Sequence, residues 1–273
     1  MRELQRVAEF IDKEVGIQLP ESKHILVEGR LRKRLRLLGY KSYKEYLDYV
    51  LVSPEGKHER LHLIDAITTN KTDFFREPEH FDYLVNMALP EIEKKRRLDG
   101  RKELHVWSAG CSSGEEAYTL SMVLHEAAEV QSGMKFNILA TDISKSCLDT
   151  ARSAIYPENR IAPVEMSLRK KYLLRHRDKK AALVLMGPEL RAKIKFGSLN
   201  LMDKNFEVPQ KMDVIFCRNV MIYFNQTVRE QLVQRFEQQL VPGGYLFVGH
   251  AESLNGFKKN MEQVSPMVYR KPQ

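Results

Sequence analysis

The chain has 273 residues and a mass of 31.8 kDa, with 43% hydrophobic and 29% charged residues. This composition supports a buried core and excludes a wholly disordered chain, and the length favours one large α/β unit, alone or with a small companion. No run of about 18 apolar residues is present, and no apolar stretch follows a basic start, so neither a membrane span nor secretion is expected. The formal net charge of +8 favours an acidic partner such as nucleic acid, an acidic protein surface or anionic lipid.

The chain contains three cysteines, Cys111, Cys147 and Cys217, which lie far apart and without C-x-x-C spacing. An odd number of scattered cysteines argues against a disulfide framework and against a zinc site, so no bound metal is expected. Free thiols fit a reducing compartment, and we therefore expect a cytoplasmic protein.

The first seventy or so residues have the periodicity of helices only. Four helices are predicted, over residues 4–17, 24–39, 42–51 and 60–70. In the second helix the apolar stripe reaches Leu38, and Gly39 is well placed to end the helix. Ser42 and Glu45 form a capping-box pattern at the start of the third helix. We therefore predict an all-helical domain over residues 1–75.

From residue 104 the pattern changes to alternating strands and helices, which a parallel sheet with crossover helices requires. Strands are predicted over residues 104–110, 136–144, 194–201, 212–219 and 245–251. Helices are predicted over residues 114–130, 145–156 and 226–240. Short antiparallel strands are expected in an insertion at about 157–195, and a PGG sequence at 242–244 is expected to break the chain. The α/β domain thus covers residues 104–273, and residues 76–103 are predicted as a helical link.

A glycine-rich turn follows the first strand of this domain. The strand ends at Ala109, the turn runs from Gly110 to Gly114, and a helix follows. Glycine lets a backbone approach a ligand closely, and N–H groups at a helix start favour anionic or polar groups. The next strand ends in Asp142, which would share the same edge of the sheet and is well placed for a ribose diol. The pattern favours a nucleoside-cofactor site; the alternative is a tight turn with Asp142 as a helix cap.

The motif details narrow the choice of cofactor. G-x-G-x-x-G is absent, which weakens NAD, and no G-K-[ST] follows the turn, which removes a P-loop NTPase. Glu115 and Glu116 at the helix start would repel a pyrophosphate but suit a ligand with a cationic amino group. S-adenosylmethionine has such a group and a sulfonium and lacks phosphate, so the charges favour this methyl donor. The alternative is that the acidic residues only complement the helix dipole.

A different enzyme class matches the same turn. Residues 110–114 satisfy G-x-S-x-G, the nucleophile elbow of an α/β-hydrolase, with Ser112 as nucleophile. Asp213 and His250 follow in the right order to complete a triad. Against this reading, the elbow follows the first strand of the sheet, and no HGGG-like oxyanion loop precedes it.

Several longer strings carry a family resemblance. They are TTNKTDFFRE, WSAGCSSGEEAYTL, ATDIS followed by ARSAIY, the pair NL at 200–201, and IFCRNVMIYF. In this order, and over essentially the whole chain to the final SPMVYRK, the sequence resembles the CheR family of chemotaxis receptor methyltransferases. The resemblance implies a small helical domain ahead of a class I (Rossmann-like) methyltransferase domain with an inserted three-stranded antiparallel subdomain. It also implies methyl transfer from S-adenosylmethionine to glutamate side chains of membrane chemoreceptors, giving glutamyl methyl esters and S-adenosylhomocysteine.

The resemblance also assigns roles to individual residues. Its cofactor positions match Asn70, Thr72, Arg76, Gly110, Glu116, Asp142, Asn200, Leu201, Cys217 and Arg218. Arg76 and Tyr223 match the residues near the transferred methyl group. A substrate glutamate has a pKa of about 4.3 and is already a nucleophile at neutral pH, so no general base is needed. Arg76 would orient that carboxylate; the alternatives are a structural ion pair for Arg76 and simple packing for Tyr223.

Partner predictions follow from three segments. Asn219 is followed by Val220 rather than by the prolines of DNA amino-methyltransferases, so no nucleic acid is expected. The second helix carries a basic face, which either is simply solvated or, as the resemblance implies, docks on acidic methylation helices of chemoreceptors: Arg30, Arg32, Lys33 and Arg36. The short, glycine-free segment 175–183 predicts independence from a receptor pentapeptide tether. A non-catalytic adaptor with the same fold remains an alternative.

Overall fold

The computed structural model describes residues 2–130 and 133–273. The N-terminal region contains four helices: α1 Arg2–Val15, α2 His24–Leu38, α3 Tyr43–Leu51 and α4 Lys57–Ile67. The remaining α-helices and β-strands, in chain order, are α5 Glu79–Tyr83, α6 Leu89–Leu98, β1 Glu103–Ala109, α7 Glu115–Val130, β2 Lys135–Asp142, α8 Lys145–Ser153, β3 Ile155–Pro157, α9 Met166–Tyr172, β4 Leu173–Arg175, β5 Leu183–Met186, α10 Pro188–Ala192, β6 Ile194–Ser198, β7 Met212–Cys217, α11 Gln226–Gln239, β8 Leu240–Val248, β9 Glu262–Ser265 and β10 Val268–Arg270. Within these described residues no helix is both long and apolar enough to cross a membrane.

The four N-terminal helices enclose a separate hydrophobic core, built from the apolar stripes of the helices. Gly39 takes the left-handed conformation (φ +76°) and ends α2, which confirms the predicted helix end. The Ser42 side chain accepts from the Glu45 N–H and caps α3, but the Glu45 carboxylate accepts from the Lys41 N–H (3.3 Å), so one half of the predicted capping box is present. Leu38 is 40% exposed, because the helix ends there; the stripe therefore stops at Leu35. Helix α4 ends at Ile67, three residues before the predicted end.

The central sheet has seven strands in the order β6-β2-β1-β7-β8-β10-β9. The first five are parallel to one another, and at one edge β10 pairs antiparallel with both β8 and β9. This confirms the predicted α/β domain with a parallel sheet. Side chains of α5, α6 and α7 share one hydrophobic core with the sheet, so the helices of the predicted link 76–103 pack against the sheet.

A second, three-stranded antiparallel sheet has the order β3-β5-β4, as the family resemblance implied. The predicted helix over 145–156 is too long: α8 ends at Ser153, Ala154 is left-handed (φ +58°), and Ile155 begins β3. Pro188 starts the short helix α10 where a strand was expected, since proline favours the first helical turn. The PGG sequence is no break, because β8 runs through residues 242–244 with a shift of register.

Candidate active site

A cleft lies at the carboxyl edge of the central sheet, between the sheet and the N-terminal helices. It has a volume of about 890 Å³, part of it open to solvent. The cleft wall includes nine of the predicted cofactor residues: Asn70, Thr72, Arg76, Gly110, Glu116, Asp142, Asn200, Leu201 and Arg218. Tyr223, the predicted neighbour of the reacting methyl group, is on the same wall. Residues far apart in the sequence are thus brought to one site.

The turn after β1 forms one side of the cleft. Gly110 has φ +83°, and the N–H groups of Gly110 and Cys111 both donate to the Thr141 carbonyl (2.8 and 2.9 Å). A Cβ on Gly110 would lie 2.5 Å from Cγ2 of Val220. Glycine is therefore needed both for the backbone conformation and for the close approach of the loop after β7.

Asp142, at the end of β2, is held by backbone donors. Its Oδ2 accepts from the Ser112 N–H and its Oδ1 from the Ser144 N–H, both at 2.8 Å. Burial raises the pKa of Asp142, and these N–H donors oppose the rise. The side chain that caps α8 is that of Ser144, which accepts from the Cys147 N–H. Asp142 therefore fixes the glycine turn and keeps lone pairs for a ligand in the cleft.

Glu116 is the second carboxylate of the cleft, and it is buried. Its Oε1 accepts from the Ser108 hydroxyl (2.7 Å) and its Oε2 from Arg218 Nε (2.9 Å). Glu115 is bound elsewhere: its Oε1 accepts from Arg160 (2.6 Å), and it does not line the cleft. Of the two adjacent glutamates, Glu116 therefore contributes the negative charge that a cationic amino group would meet.

Arg218 links Glu116 to the segment that follows residue 70. Besides Glu116 it donates to the carbonyl of Arg76 (2.6 Å) and to Nδ1 of His80 (3.0 Å). Burial, and next the charge of Arg218, lower the pKa of His80 to about 4, so this imidazole is neutral and accepts a bond at neutral pH. Glu77, His80 and His250 bring potential metal ligands within 4.8 Å of one another, but the Arg218 cation already bonds Nδ1 of His80, and its charge disfavours a second cation there.

The Arg76 side chain is held loosely. It donates to the Lys71 carbonyl (3.2 Å), its Nε lies 4.0 Å from Glu77 Oε1, and 35% of the side chain is exposed. The alternative role of Arg76 was a structural ion pair with Glu77 or Glu79. Glu77 is at the 4.0 Å limit for such a pair, and Glu79 pairs with His250 instead. The guanidinium is free to meet an anion that enters the cleft.

The inserted subdomain braces the same segment. Arg160 Nη2 donates to the carbonyl of Thr72 (2.5 Å) and to Glu115 Oε1 (2.6 Å). The Tyr156 hydroxyl donates to the carbonyl of Ser113 in the glycine turn (2.6 Å). Both loops that border the cleft are therefore fixed by side chains of the insertion, which explains how Thr72 comes to line the cleft.

The helical domain supplies a wall that the sequence did not reveal. Val15 and Ile17 line the cleft, Ile17 forms a bridge with Phe224, and the Gln18 N–H donates to the Tyr223 carbonyl (2.8 Å). Further wall residues outside the predicted set are Thr68, Thr69, Lys71, Ser112, Ile143, Leu199, Asn219, Val220 and Phe224. Several of these wall residues are next to predicted site residues in the chain, and this adjacency is a signal that could have identified them. The periodicity of a sequence, in contrast, does not indicate which loops two domains bring together.

Asn200 and Leu201 follow β6 at one end of the cleft. The Asn200 amide donates to the Glu14 carbonyl at the end of α1 (2.7 Å), and its oxygen accepts from the Met202 N–H (3.0 Å). Leu201 is buried in a hydrophobic core and presents an apolar surface to the cleft. This pairing of an amide with an apolar surface suits a heteroaromatic base.

Cys217 is a correction to the predicted cofactor set. Its side chain is fully buried in the hydrophobic core and is not part of the cleft wall. Burial also raises the pKa of this thiol well above its ordinary value. Because successive side chains of an extended strand point to opposite sides, Arg218 faces the cleft and Cys217 faces the core.

The serine-hydrolase alternative is wrong, because the three side chains of its triad do not meet. The Ser112 hydroxyl donates to the Asn70 carbonyl (2.9 Å). Asp213 is buried near the start of β7, where it accepts from the His105 N–H (2.9 Å), and His250 pairs with Glu79. A nucleophile without a neighbouring base has no activation.

The basic face of α2 is smaller than predicted. Arg30 donates to the carbonyls of Ala66, Ile67 and Thr68 (3.3, 3.1 and 3.0 Å) and so caps the end of α4. This structural role removes Arg30 from the predicted docking set. Arg32, Lys33 and Arg36 remain exposed, and Arg32 pairs with Glu28 one helical turn away (2.9 Å).

Two protein-family models and several known proteins match this chain in sequence. Residues 70–269 match the family model of the CheR methyltransferase SAM-binding domain, and residues 2–68 match that of the CheR all-alpha domain. A chemotaxis protein methyltransferase of Borreliella burgdorferi is 43% identical, covering 98% of this chain and 94% of the relative. Chemotaxis protein methyltransferases of Salmonella typhimurium and Escherichia coli are each 36% identical, covering 97% of this chain and 88% and 89% of the relatives.

Proposed function

Because the chain belongs to the CheR methyltransferase family, we propose that it transfers a methyl group from S-adenosylmethionine to glutamate side chains of membrane chemoreceptors. One observation carries this proposal: two carboxylates, the buried Glu116 and the partly buried Asp142, line the same cleft as Arg76 and Tyr223. S-adenosylmethionine, when bound, supplies the electrophilic methyl group. The products are a glutamyl methyl ester and S-adenosylhomocysteine.

The residues of the cleft fit this cofactor. Glu116 would hold the amino group, since both of its oxygens keep a free lone pair beside the bonds from Ser108 and Arg218. Asp142 would accept from the ribose hydroxyls, and Asn200 and Leu201 would border the adenine. No phosphate site is required.

Arg76 and Tyr223 would act on the substrate side. A glutamate carboxylate is ionised at neutral pH, so the protein has no proton to remove and needs only to orient the nucleophile and exclude water. The loosely held Arg76 guanidinium is suited to orient that carboxylate by charge-assisted bonds without pairing so tightly that its nucleophilicity is lost. Tyr223 would form one side of the path by which the substrate glutamate reaches the methyl group, since it borders both the cleft and an outer groove beside Lys23.

The exposed cations of α2 would guide the receptor to the cleft. Arg32, Lys33 and Arg36 face solvent and would attract acidic methylation helices over long range. Docking of this kind weakens as salt is added.

The other partner and location proposals rest on single segments. The turn between β4 and β5 carries no glycine and is short, which supports a protein that does not need a receptor pentapeptide tether. Its place of action would be the cytoplasm, at receptor helices rather than within the membrane, and no nucleic acid would be bound. The helical domain would serve receptor docking and the α/β domain the chemistry.

Incubation with receptor-bearing membranes and methyl-labelled S-adenosylmethionine tests the proposal. We expect label on receptor glutamates that is released by mild base, and a large loss of label with Arg76→Ala but not with Arg152→Ala, an exposed arginine on α8. Binding of S-adenosylhomocysteine without any incorporation would instead identify a non-catalytic adaptor. Absence of both binding and incorporation would refute the cofactor assignment as well.

A further inference from the structure

Glu252 is a fully buried carboxylate, four residues beyond the end of β8, that the proposed chemistry leaves unexplained. Within the described residues it forms no ion pair with a lysine, arginine or histidine at 4.0 Å or less. A buried charge without a counter-ion is costly unless hydrogen bonds replace its water. The groups that bond to Glu252 therefore indicate its role.

The bonds to Glu252 come from backbone N–H groups. Its Oε2 accepts from Asn219 (2.7 Å) and from Gly249 (2.7 Å), and its Oε1 accepts from Ile222 (3.2 Å). Burial raises the pKa of Glu252, and these donors oppose the rise. The carboxylate thus serves as an internal anchor for backbone amides.

Two of the three donors belong to the loop after β7, which lies between Arg218 and Tyr223. This loop has a strained start, since Asn219 takes a left-handed conformation (φ +61°). It then forms a single 3₁₀ turn, Met221–Tyr223, whose last residue borders the cleft. A non-glycine residue in the left-handed region persists only where the surroundings hold it.

The loop is confined on its other side too. A Cβ on Gly110 would lie 2.5 Å from Cγ2 of Val220, so the cofactor turn and the loop are in contact. On the Glu252 side, a Cβ on Gly249 would lie 2.7 Å from the side-chain nitrogen (Nδ2) of Asn219, 2.8 Å from Glu252 Oε2 and 2.9 Å from the backbone nitrogen of Asn219. The loop is therefore held between the glycine turn and the Glu252 carboxylate.

We propose that Glu252 is a positioning residue for methyl transfer: through the N–H groups of Asn219 and Ile222 it fixes the turn that presents Tyr223 to the reacting centre. Glu252 itself does not touch the substrate. The inference rests on the proposed function, because it takes Tyr223 to face the transferred methyl group. A carboxylate suits this task because it accepts at both oxygens, whereas an amide accepts at one.

Glu252→Gln is the sharpest variant, since it keeps the size of the side chain and places a donor against one of the backbone donors. Glu262→Gln, an exposed glutamate on β9, is the matched control. In hydrogen exchange of the unliganded proteins, we expect faster exchange in Glu252→Gln for a peptide over residues 217–224 and unchanged exchange for β2. This readout does not require the receptor reaction and so separates this inference from the proposed function.

Receptor methylation is the second readout. We expect kcat to fall by about tenfold to a hundredfold, as a misplaced reactive group would cause, with the Kd for S-adenosylhomocysteine within about threefold of wild type. Gly249→Ala should shift both readouts in the same direction, because its added Cβ displaces the loop without removing the carboxylate. Unchanged loop exchange, an unchanged kcat, or a general loss of protection that includes β2 would overturn the inference. A wild-type protein with a protected loop but no receptor methylation would refute the proposed function instead.

Discussion

The cleft and the outer face of α2 both carry arginines, in opposite surroundings. Arg218 has a side chain that is 2% exposed and bonded to Glu116, His80 and the carbonyl of Arg76, whereas the Arg32 side chain is 58% exposed and pairs with Glu28 on its own helix. The stability of a buried charged group depends on each of its hydrogen-bond and ion-pair partners, because water cannot take the place of a partner that is lost. An exposed pair is screened and contributes little to stability. The same residue type therefore fixes a binding site in one region and steers a partner in the other.

Removal of Arg218 should produce the largest effect. Arg218→Met leaves the Glu116 carboxylate buried without its cation, which is expected to cost about 3–5 kcal/mol of unfolding free energy. Arg36→Met, on the exposed face, should change it by less than about 0.5 kcal/mol. Urea unfolding of both variants measures the difference, and equal values for the two would contradict the comparison.

A decrease in pH tests the contribution of His80 to the buried network of Glu116, Arg218 and His80. The pKa of His80 is lowered to about 4 by burial and Arg218, against 6.5 when unfolded, so the unfolded chain binds the extra proton first. Neutral His80 therefore contributes to the free energy of unfolding above about pH 6.5, and this contribution is lost as the pH falls toward 4. At its largest the contribution is about 3 kcal/mol. His80→Gln should show less loss of stability than wild type over this range, and His176→Gln, at an exposed site, should match wild type. Identical pH profiles for all three would show that Arg218 does not depend on a neutral His80.

A smaller effect is expected from Asp142→Asn. The substitution keeps the shape of the side chain but removes its charge, and hydrogen bonds to a charged group contribute about 1.5–3 kcal/mol. The Kd for S-adenosylhomocysteine should therefore rise by about tenfold to a hundredfold. Asp149→Asn, on the exposed side of α8, serves as control. Calorimetry that gave the same Kd for both variants would remove Asp142 from the cofactor site.

The smallest effect belongs to the exposed face. Reversal of Arg32, Lys33 and Arg36 to glutamate should lower kcat/KM for the receptor on the order of tenfold at low salt, and less at high salt, because long-range attraction is screened. The Kd for S-adenosylhomocysteine should not change. Receptor methylation at two salt concentrations provides the test, and an equal kcat/KM for variant and wild type would exclude steering by this face.

The strand ends and the glycine turn could be predicted from the sequence because local pattern determines them. Gly110, Glu116 and Asp142 follow from a strand-turn-helix pattern and the shared edge of a parallel sheet. Cys217 was misplaced because a motif does not state which of two adjacent strand residues faces the ligand, although the period of two does. Arg30 was misplaced because its partners lie 36–38 residues away, on a different helix.

The wall formed by Val15 and Ile17 could not be predicted, for a related reason. Both residues lie at the end of the first predicted helix (4–17), and their second role depends on how the helical domain packs against the loop at Phe224. The same holds for Glu252, whose partners are backbone amides that no sequence pattern identifies.

A crystal structure of the protein with S-adenosylhomocysteine tests the central claim most directly. We expect the amino group to bond to Glu116, the ribose hydroxyls to bond to Asp142, and the adenine to lie beside Asn200 and Leu201. A ligand bound elsewhere, or bound in the cleft without contact to either carboxylate, would contradict the account.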